Sequence, residues 1–538
     1  MWRLSFTLTL ACLVPSLAAA RTWYVLPDSS GDAPTIQAAI DSASAGDVVE
    51  LADGTFTGEG NRNIDFLGKA ITVCSEAGDA ENCVIECQGT LGVFKRGFRF
   101  ASGEDSASVL RGVTIRGGVQ ARGGAVYCKD TSPTLEGCVF LENNARLDGG
   151  AVRIDGGSPR IVSCEFSYNV CVTDGAGLSA RGSSTPTLEA CIFRENDAGD
   201  AGGGAMFLGD CAPVLTECEF IGNQAWILSG GALCSRCRDL QCSSCTFSDN
   251  WAQDGGGAVS CSGSARLESC TFEGNRTPSY GSEHHLGGAV YANGESESIE
   301  IVGCTFRENS ASEHGGAVWG LKCSLTECRF ESNTARCGGG VTLASGQVSG
   351  CSFVRNTATE DGGGLCVLSP GTTSMDHSIF IANAAHRGGG IFCDDAASLA
   401  IVACTLHGNE ASGAAGAIVS SNASVDMAGV IVAFSTTRAV YCWGATPALT
   451  CCDLYGNAEG DWAGPIAGQL DQDGNISSDP LFCDPMSEDF TLHEDSPCAP
   501  AYNPDCGLIG AKPVACPPSP ALEISWGAMK AMFRGQHE

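Results

Sequence analysis

Short apolar runs of three to five residues recur along the middle of the chain, and Gly, Asn or Pro interrupts each of them. One phrase has a Cys, a Phe two positions later and an Asn three positions after the Phe, as in Cys138, Phe140 and Asn143. Twelve copies, a few with Leu for Phe or Ser for Cys, extend to Asn457, and most are 23 to 27 residues apart. This spacing is the period of a solenoid repeat. No stretch has helical periodicity long enough for a crossover helix.

A second phrase, Gly-Gly-Ala and an aliphatic residue, lies between the copies, as in 149–152 and 315–318. A unit of about 25 residues with a few short strands and no helix buries its apolar side chains only by stacking on copies of itself. The pattern therefore predicts an all-β solenoid, a parallel β-helix. Equivalent residues of successive coils would lie about 4.8 Å apart and form columns along the axis.

Each recurring residue type has a predicted place in a coil. Phe and the Cys two positions before it share strand parity, so both columns should point inward. Asn suits a stacked bend because it bonds its own backbone and tolerates a left-handed conformation. The Gly-Gly pair supplies a positive φ at the next corner. The Cys column is expected to be buried free thiols that pack as small hydrophobes, with disulfides as the alternative.

The paired FxxN and GGA phrases resemble the repeats of chlamydial polymorphic outer-membrane proteins. More broadly, residues 110 to 460 are similar to the right-handed parallel β-helix proteins grouped with pectin and pectate lyases. The resemblance implies a right-handed solenoid of about thirteen to fifteen coils. It also implies a surface-exposed binding, adhesion or structural role toward polysaccharide, with a polysaccharide lyase or glycoside hydrolase as the alternative. We find no lyase or polygalacturonase signature in the chain.

The ends of the chain differ from the repeats. Residues 1–20 have one cation, an apolar stretch and three final alanines, which predicts a signal peptide; lipidation at Cys12 is the alternative. Residues 21–110 are expected to hold a cap helix around Ile36, Ala39, Ile40 and Ala43 and the first coils. The repeats occupy 111–460, a closing segment 461–516, and a Pro-rich link with an apolar-basic tail 517–538.

Composition narrows the range of possible partners and cellular locations. The 538 residues carry a formal charge of −32, with 62 acidic and 30 basic side chains, which excludes a nucleic-acid partner. No apolar run after the first 20 residues is long enough for a membrane span, so we expect an exported monomer. Export favours disulfides among the 32 Cys. The disulfide candidates outside the Cys column are Cys237 with Cys242, Cys83 with Cys87, Cys171 with a neighbour, and the set Cys483, Cys498, Cys506 and Cys516. The spacing of Cys234, Cys237, Cys242 and Cys245 also permits zinc, but a disulfide-pinned turn is preferred.

A charged column precedes the Gly-Gly corners of four consecutive coils. It reads Glu313-His314, Arg336-Cys337, Glu360-Asp361 and His386-Arg387, and His284 and His285 lie in the longest repeat just before it. Carboxylates, imidazoles and guanidinium groups on one edge could perform acid–base chemistry or bind a ligand or metal. The catalytic candidates are Glu313, His314, Asp361 and Arg387. A solvated polar edge without chemistry is the other interpretation.

Two further features bear on binding. Trp226 and Trp251 follow the repeat Asn in adjacent coils and could stack on sugar rings, or could instead cover the edge of the Phe column. Together with His284 and His285 they are the predicted binding residues. Asp148, Asp174 and Asp254 lie before the Gly-Gly corners of earlier coils, at the same edge as the charged column, and could hold Ca²⁺ between coils. The sequence implies no required cofactor, and Ca²⁺ is the one ion that it could bind.

Overall fold

The structure is a computed structural model that describes residues 20–199, 202–227, 229–237, 239–278, 285–294, 299–368 and 370–516. It is a right-handed parallel β-helix, as the sequence predicts. The predicted signal peptide, except for its last residue, and the predicted tail lie outside the described residues, as does His284. No helix in the described part is long and apolar enough to cross a membrane.

Each repeat coil passes through four short strands, where the sequence indicated about three. Two of the four strand columns form one sheet of 30 strands, because Val318–Thr326 and Val341–Ser349 run unbroken through both columns. The strands of this first sheet are Thr22–Val25, Val48–Leu51, Ile64–Asp65, Thr72–Ser75, Phe98–Phe100, Val109–Arg111, Val126–Lys129, Thr134–Glu136, Val152–Asp155, Arg160–Val162, Leu178–Arg181, Thr187–Glu189, Met206–Gly209, Val214–Thr216, Leu233–Ser235, Leu240–Ser243, Val259–Cys261, Ala265–Glu268, Val290–Ala292, Ile299–Val302, Val318–Thr326, Val341–Ser349, Leu365–Val367, Thr372–Asp376, Ile391–Cys393, Ser398–Val402, Ile418–Ser421, Ser424–Ala428, Val440–Trp443 and Ala448–Thr450.

The second sheet has 16 strands and carries the Phe column. They are Gly54–Phe56, Cys83–Glu86, Thr114–Arg116, Val139–Leu141, Glu165–Ser167, Ile192–Arg194, Glu219–Ile221, Thr246–Ser248, Thr271–Glu273, Thr305–Arg307, Arg329–Glu331, Ser352–Val354, Ile379–Ile381, Thr405–His407, Ile431–Ala433 and Asp453–Tyr455. The expected thirteen to fifteen coils are therefore too few. The earliest coils lack the motif, because Ile85 and Ile115 occupy the position that Phe140 holds in the next coil.

The third sheet has 12 strands, which follow the Asn bend. They are Val119–Gln120, Asn144–Ala145, Val170–Cys171, Asp197–Ala198, Gln224–Ala225, Trp251–Ala252, Arg276–Thr277, Ser310–Ala311, Thr334–Cys337, Thr357–Asp361, Ala384–Arg387 and Glu410–Ala414. A fourth sheet joins Phe482–Asp484, Asp489–His493 and Val514–Cys516.

The N-terminal cap is the predicted helix, Ile36–Ser42. Thr35 caps it by accepting a hydrogen bond from the Ala38 backbone N–H. Ile36, Ala39 and Ile40 are buried against the first coils, so one apolar helix face covers the end of the solenoid.

The Phe column forms the centre of the core, as predicted. Rings from Phe166 to Phe380 stack at centroid distances of 4.3 to 4.9 Å, and all of these side chains are buried. Parallel stacking at this distance follows from the strand spacing, because each Phe is paired in register with the next.

The Asn column forms a buried hydrogen-bond ladder. The Asn309 backbone and side-chain N–H groups both donate to Asn333 Oδ1 at 3.0 Å, and its side chain also donates to the Phe272 carbonyl. The predicted left-handed conformation belongs to the preceding residue instead, such as Glu308 at φ 54°. Asn was predicted to bond its own backbone, but its side chain bonds the coils on either side because the bend points it into the solenoid.

The Gly-Gly corners need glycine for two different reasons. Gly315 has φ 67°, which confirms the predicted positive φ. A Cβ on Gly316 would lie 2.1 Å from the Gly339 carbonyl oxygen of the next coil. The second glycine therefore allows adjacent coils to approach closely.

The inward Cys column is unpaired and buried, in agreement with the packing interpretation. Backbone N–H groups donate to the next sulfur along the column, as from Cys218 to Cys245 at 3.4 Å. Burial raises the pKa of the Cys404 thiol to about 12, so that thiol stays protonated and unreactive.

The two disulfides of the described part lie near the C-terminus and join Cys451 to Cys506 and Cys483 to Cys516. The predicted pairs involving Cys83, Cys87, Cys171, Cys237 and Cys242 are wrong, since all of these are free. Cys83 and Cys87 lie at the two ends of one extended segment, about 13 Å apart along the chain. The Cys237 sulfur lies 2.7 Å from that of Cys211 in the preceding coil, and Cys498 contacts Asp453.

The predicted closing segment divides into an end cap and a strap. Ile466, in the 3₁₀ helix Gly464–Gln469, is buried in the main core and closes the last coil. Residues 482–516, the C-terminal strap, turn back over the outer face of the second sheet. Phe490 and Ala511 pack on Val354, Ile379 and Ile381, and Leu492 and Ile509 pack on Ile431 and Ala433.

Removing one rung of the Asn ladder should destabilise the solenoid. Asn309→Ala removes the oxygen that accepts from the Asn275 backbone and side-chain N–H groups, and it removes the side-chain donor to the Phe272 carbonyl. We expect the free energy of unfolding to fall by about 3 kcal/mol, measured by guanidinium denaturation. Arg307→Ala, at an exposed position two residues away, is the control and should change it by less than about 0.5 kcal/mol. Equal effects of the two variants would contradict a stabilising ladder.

The junction of solenoid and strap should respond to pH through Asp453. Burial raises its pKa from 3.8 to about 7. Because the folded carboxyl holds its proton more tightly than the unfolded one, the contribution of Asp453 to stability is fully present below pH 3.8 and is lost as the pH rises to about 7. The loss should be on the order of 2 to 4 kcal/mol.

Asp453→Asn removes this titration and should flatten the pH dependence of the urea midpoint over the same interval. Asp426→Asn, on an exposed position of the neighbouring coil, is the control. An unchanged slope in Asp453→Asn would show that the carboxyl is ionised in the folded protein throughout.

Candidate functional site

A groove of about 760 Å³ lies where the Asn bend passes into the third sheet. Residues from four consecutive coils line this tryptophan groove: Glu195, Gly222, Gln224, Trp226, Asp249, Trp251, Gln253 and Arg276. The volume falls within the range of small-ligand sites. Four coils at about 4.8 Å give a length of about 14 Å between the outer ones.

Three outward columns build the groove, because every second residue around the bend points away from the buried Asn. The first column precedes the Asn and has left-handed φ, as at Glu195 and Asp249. The second follows the Asn and runs Asp197, Gln224, Trp251 and Arg276 in strand register. The third lies two residues further on and places Gly199, Trp226 and Gln253 in successive coils.

Trp226 and Trp251 are brought together by this geometry. Their ring centroids are 4.9 Å apart and the ring planes are inclined by 59°. Trp226 is 48% exposed, and Trp251 is half-buried. The rings lie on the outside of the solenoid, so they do not cover the Phe column. That they stack on sugar rings stays a prediction.

Glycine alternates with carboxylates along the first column. A Cβ on Gly222 would lie 2.5 Å from Glu195 Oε1, and one on Gly274 would lie 2.7 Å from Asp249 Oδ1. Glu195 and Asp249 therefore extend over the gaps left by the next coils. Sequence reasoning missed both acids, although the series Glu195, Gly222, Asp249, Gly274 before the repeat Asn could have indicated them.

Asp197 lies beside one of the two indoles, in the preceding coil. Burial raises the pKa of Asp197, and the neighbouring Trp226 side chain opposes part of that rise.

His285 supports the same region from the next coil. Its Nδ1 lies 2.8 Å from the Gln253 carbonyl oxygen, and the side chain is buried. This predicted binding residue thus contacts a residue of the tryptophan groove, in a supporting position. Arg276, which belongs to the same coil as His285, is exposed and has no carboxylate partner among the described residues.

The eight predicted edge residues form a second cluster, the charge ladder: Glu313, His314, Arg336, Cys337, Glu360, Asp361, His386 and Arg387. Arg336 bonds Glu313 and Glu360 of the coils on either side, each at 2.8 Å. Arg387 bonds Asp361 through two nitrogens at 2.6 Å. Salt bridges between coils thus engage three carboxylates and two guanidinium groups of the ladder, which is what a stabilising edge requires.

Three ladder atoms come within reach of one another. Ligand atoms of Cys337, Glu360 and Asp361 all lie within 4.8 Å, a separation compatible with a metal ion. Both carboxylates already bond arginines, however, and those cations would oppose a further positive charge. The catalytic roles of Glu313, His314, Asp361 and Arg387 stay predictions, and the geometry favours the structural interpretation of this edge.

Arginines also hold two of the three predicted calcium ligands. Asp148 lies 2.6 Å from Arg153 and 3.2 Å from Arg122, and Asp174 bonds Arg181. Asp254 has a buried carboxylate oxygen without a hydrogen-bond partner. The structure does not bring these three carboxylates into one cluster of ligand distance among the described residues. Calcium binding here stays a prediction.

A family model described as "Right handed beta helix region" matches residues 124–306 and 288–449, more than half of the chain. The chain belongs to this right-handed β-helix family. The match spans both the tryptophan groove and the charge ladder. A search of curated proteins finds no match.

One solved structure similar to this right-handed β-helix protein is tailspike protein 3 of bacteriophage CBA120. The two chains are 14% identical and superpose with a TM-score of 0.30. The alignment covers 75% of this chain and 56% of the tailspike, so the chain spans just over half the length of that protein.

The charge ladder should make stability of this right-handed β-helix protein depend on pH through His314. Burial and the nearby Arg336 lower the pKa of His314 from 6.5. The folded state therefore binds fewer protons than the unfolded state, and stability should decrease as the pH falls below 6.5. His314→Gln should reduce that decrease in a series of thermal melts.

His377→Gln, at an exposed position, is the control and should leave the slope unchanged. Partial burial also lowers the pKa of His407, so part of the slope should persist in His314→Gln. A slope identical to that of the original protein would show that the His314 imidazole does not titrate with folding.

Proposed function

We propose that this protein is an exported glycan-binding protein that uses the tryptophan groove to hold polysaccharide outside the cell or at its surface. The observation that carries the proposal is the pair of outward indoles 4.9 Å apart within a groove of about 760 Å³. In a soluble protein, exposed aromatic pairs flanked by polar side chains are typical of binding surfaces.

The chemistry of the groove suits a sugar polymer. Indole faces pack against the apolar faces of sugar rings, while amide and charged side chains bond the hydroxyl groups around the ring edge. Gln224 and Gln253 supply amides beside the two indoles, and Arg276 supplies a guanidinium. An elongated groove across four coils also fits a chain better than an isolated small molecule.

The solenoid holds these groups rigidly. Gln224 and Trp251 are paired in strand register, and the bend beneath them is fixed by the Asn223–Asn250 hydrogen bonds at 3.0 Å. A preformed surface loses little conformational entropy on binding. Rigid spacing along one face is therefore an advantage for a repeating ligand.

Export is supported by the first 20 residues and by the redox chemistry of the chain. The N-terminal sequence has the pattern of a signal peptide. Two disulfides hold the strap, and disulfides persist in the oxidising compartments that exported proteins enter. The resemblance of the repeats to chlamydial outer-membrane proteins favours a surface role.

Truncation of one indole should weaken binding. A screen of the full chain against immobilised polysaccharides selects the ligand, and isothermal titration then measures its affinity. Trp251→Ala should reduce that affinity at least tenfold, about 1.4 kcal/mol, because it removes half of the stacking surface. Tyr24→Ala removes an exposed aromatic ring from a distant coil and should leave affinity unchanged.

Two results would contradict the proposal: no polysaccharide bound by the intact protein, or equal affinities of Trp251→Ala and the original chain. Product analysis in the same titrations addresses the enzyme alternative. New reducing or unsaturated ends, lost in Asp361→Asn but kept in Trp251→Ala, would place a catalytic function at the charge ladder instead.

A further inference from the structure

We propose that the glycan bound in the tryptophan groove is a polymer of amino sugars with protonated amines, held by indole faces and carboxylates together. This inference rests on the proposed function and names the class of its ligand.

The first argument is that each indole has a carboxylate beside it. Asp249 precedes Trp251 by two residues, and both side chains line the groove. Asp197 lies in the coil before Trp226, near enough that this side chain affects the pKa of its carboxyl. An aromatic face next to a carboxylate attracts an ammonium group from two sides, since the ring quadrupole and the anion both favour positive charge.

The second argument is that the groove carboxylates lack internal counterions. Among the described residues, Glu195 and Asp249 form no salt bridge, although Arg276 lies in the same groove. On the neighbouring faces of the solenoid, carboxylates such as Asp148 and Asp361 bond arginines closely. The two groove acids, unlike those carboxylates, therefore keep their negative charge available to a ligand.

The third argument is access. Gly222 and Gly274 place no side chain beneath the carboxylates of Glu195 and Asp249, and a Cβ at either glycine would lie within 2.7 Å of a carboxylate oxygen. A cation entering from solvent can thus approach both acids. The two acids are two coils apart, about 10 Å, so one extended ligand can meet both.

The field of the whole molecule adds selectivity. A formal charge of −32 attracts polycations and repels polyuronates at low salt. Arg276, at the end of the second column, can donate to sugar hydroxyls without reversing the sign of the groove.

The experiment compares three soluble probes on the full chain by isothermal titration: hexamers of glucosamine, of N-acetylglucosamine and of galacturonic acid. At a mildly acidic pH that keeps the amine charged, we expect the glucosamine hexamer to bind at least tenfold more tightly than the N-acetylated one. We expect the galacturonate hexamer to bind more weakly than either. Added salt should weaken the glucosamine complex most.

The double variant Glu195→Gln, Asp249→Asn tests the carboxylates. It should lower affinity for the glucosamine hexamer at least tenfold and leave affinity for the N-acetylated hexamer within twofold. The control is Glu308→Gln, which neutralises an exposed acid of the same column outside the groove and should have no effect on either probe.

The outcomes separate the inference from the proposed function. Equal binding of charged and acetylated hexamers, or a preference that survives in the double variant, would overturn the amino-sugar inference. If Trp251→Ala still abolished polysaccharide binding, glycan recognition by the groove would stand. Glucosamine binding that is lost in the double variant but unchanged in Trp251→Ala would overturn the role of the indoles and with it the proposed function.

Discussion

Register between successive coils is the constraint on which this structure depends. Parallel backbone hydrogen bonds hold neighbouring strands about 4.8 Å apart, so any residue type repeated at one position becomes a continuous column. Such a column must be compatible with itself. Phe rings stack on Phe rings and Asn side chains hydrogen-bond to Asn side chains, so each side chain contacts the same residue type in the neighbouring coils.

The same register determines the surface. Acids and arginines at one outward position of successive coils form salt bridges between coils, as Arg336 does with Glu313 and Glu360. Where the outer face of the second sheet becomes apolar, at Ile379 and Ile381, the C-terminal strap covers it. Self-compatible columns therefore account for most of the exterior as well as for the core.

Prediction from the sequence succeeded where a column repeats and failed where a contact depends on distant parts of the chain. The inward Phe and Cys columns and the Gly corners follow from local spacing alone. The disulfide of Cys451 with Cys506 does not, because it depends on a strap that folds back along the solenoid. The tryptophan groove was predicted in part. Its two indoles stand out in the sequence, whereas Glu195 and Asp249 are recognised as groove residues only when the glycines of the adjacent coils are placed in register with them.

A departure from column compatibility is therefore the feature that marks a site on such a solenoid. In the charge ladder, the carboxylates of Glu313, Glu360 and Asp361 each bond a guanidinium of an adjacent coil. In the tryptophan groove, the column alternates acid with glycine, two indoles lie diagonally across adjacent coils, and the single cation bonds none of the acids. Exposed aromatic rings flanked by acids and amides are typical of a binding surface, and the proposed glycan would contact both the rings and the acids.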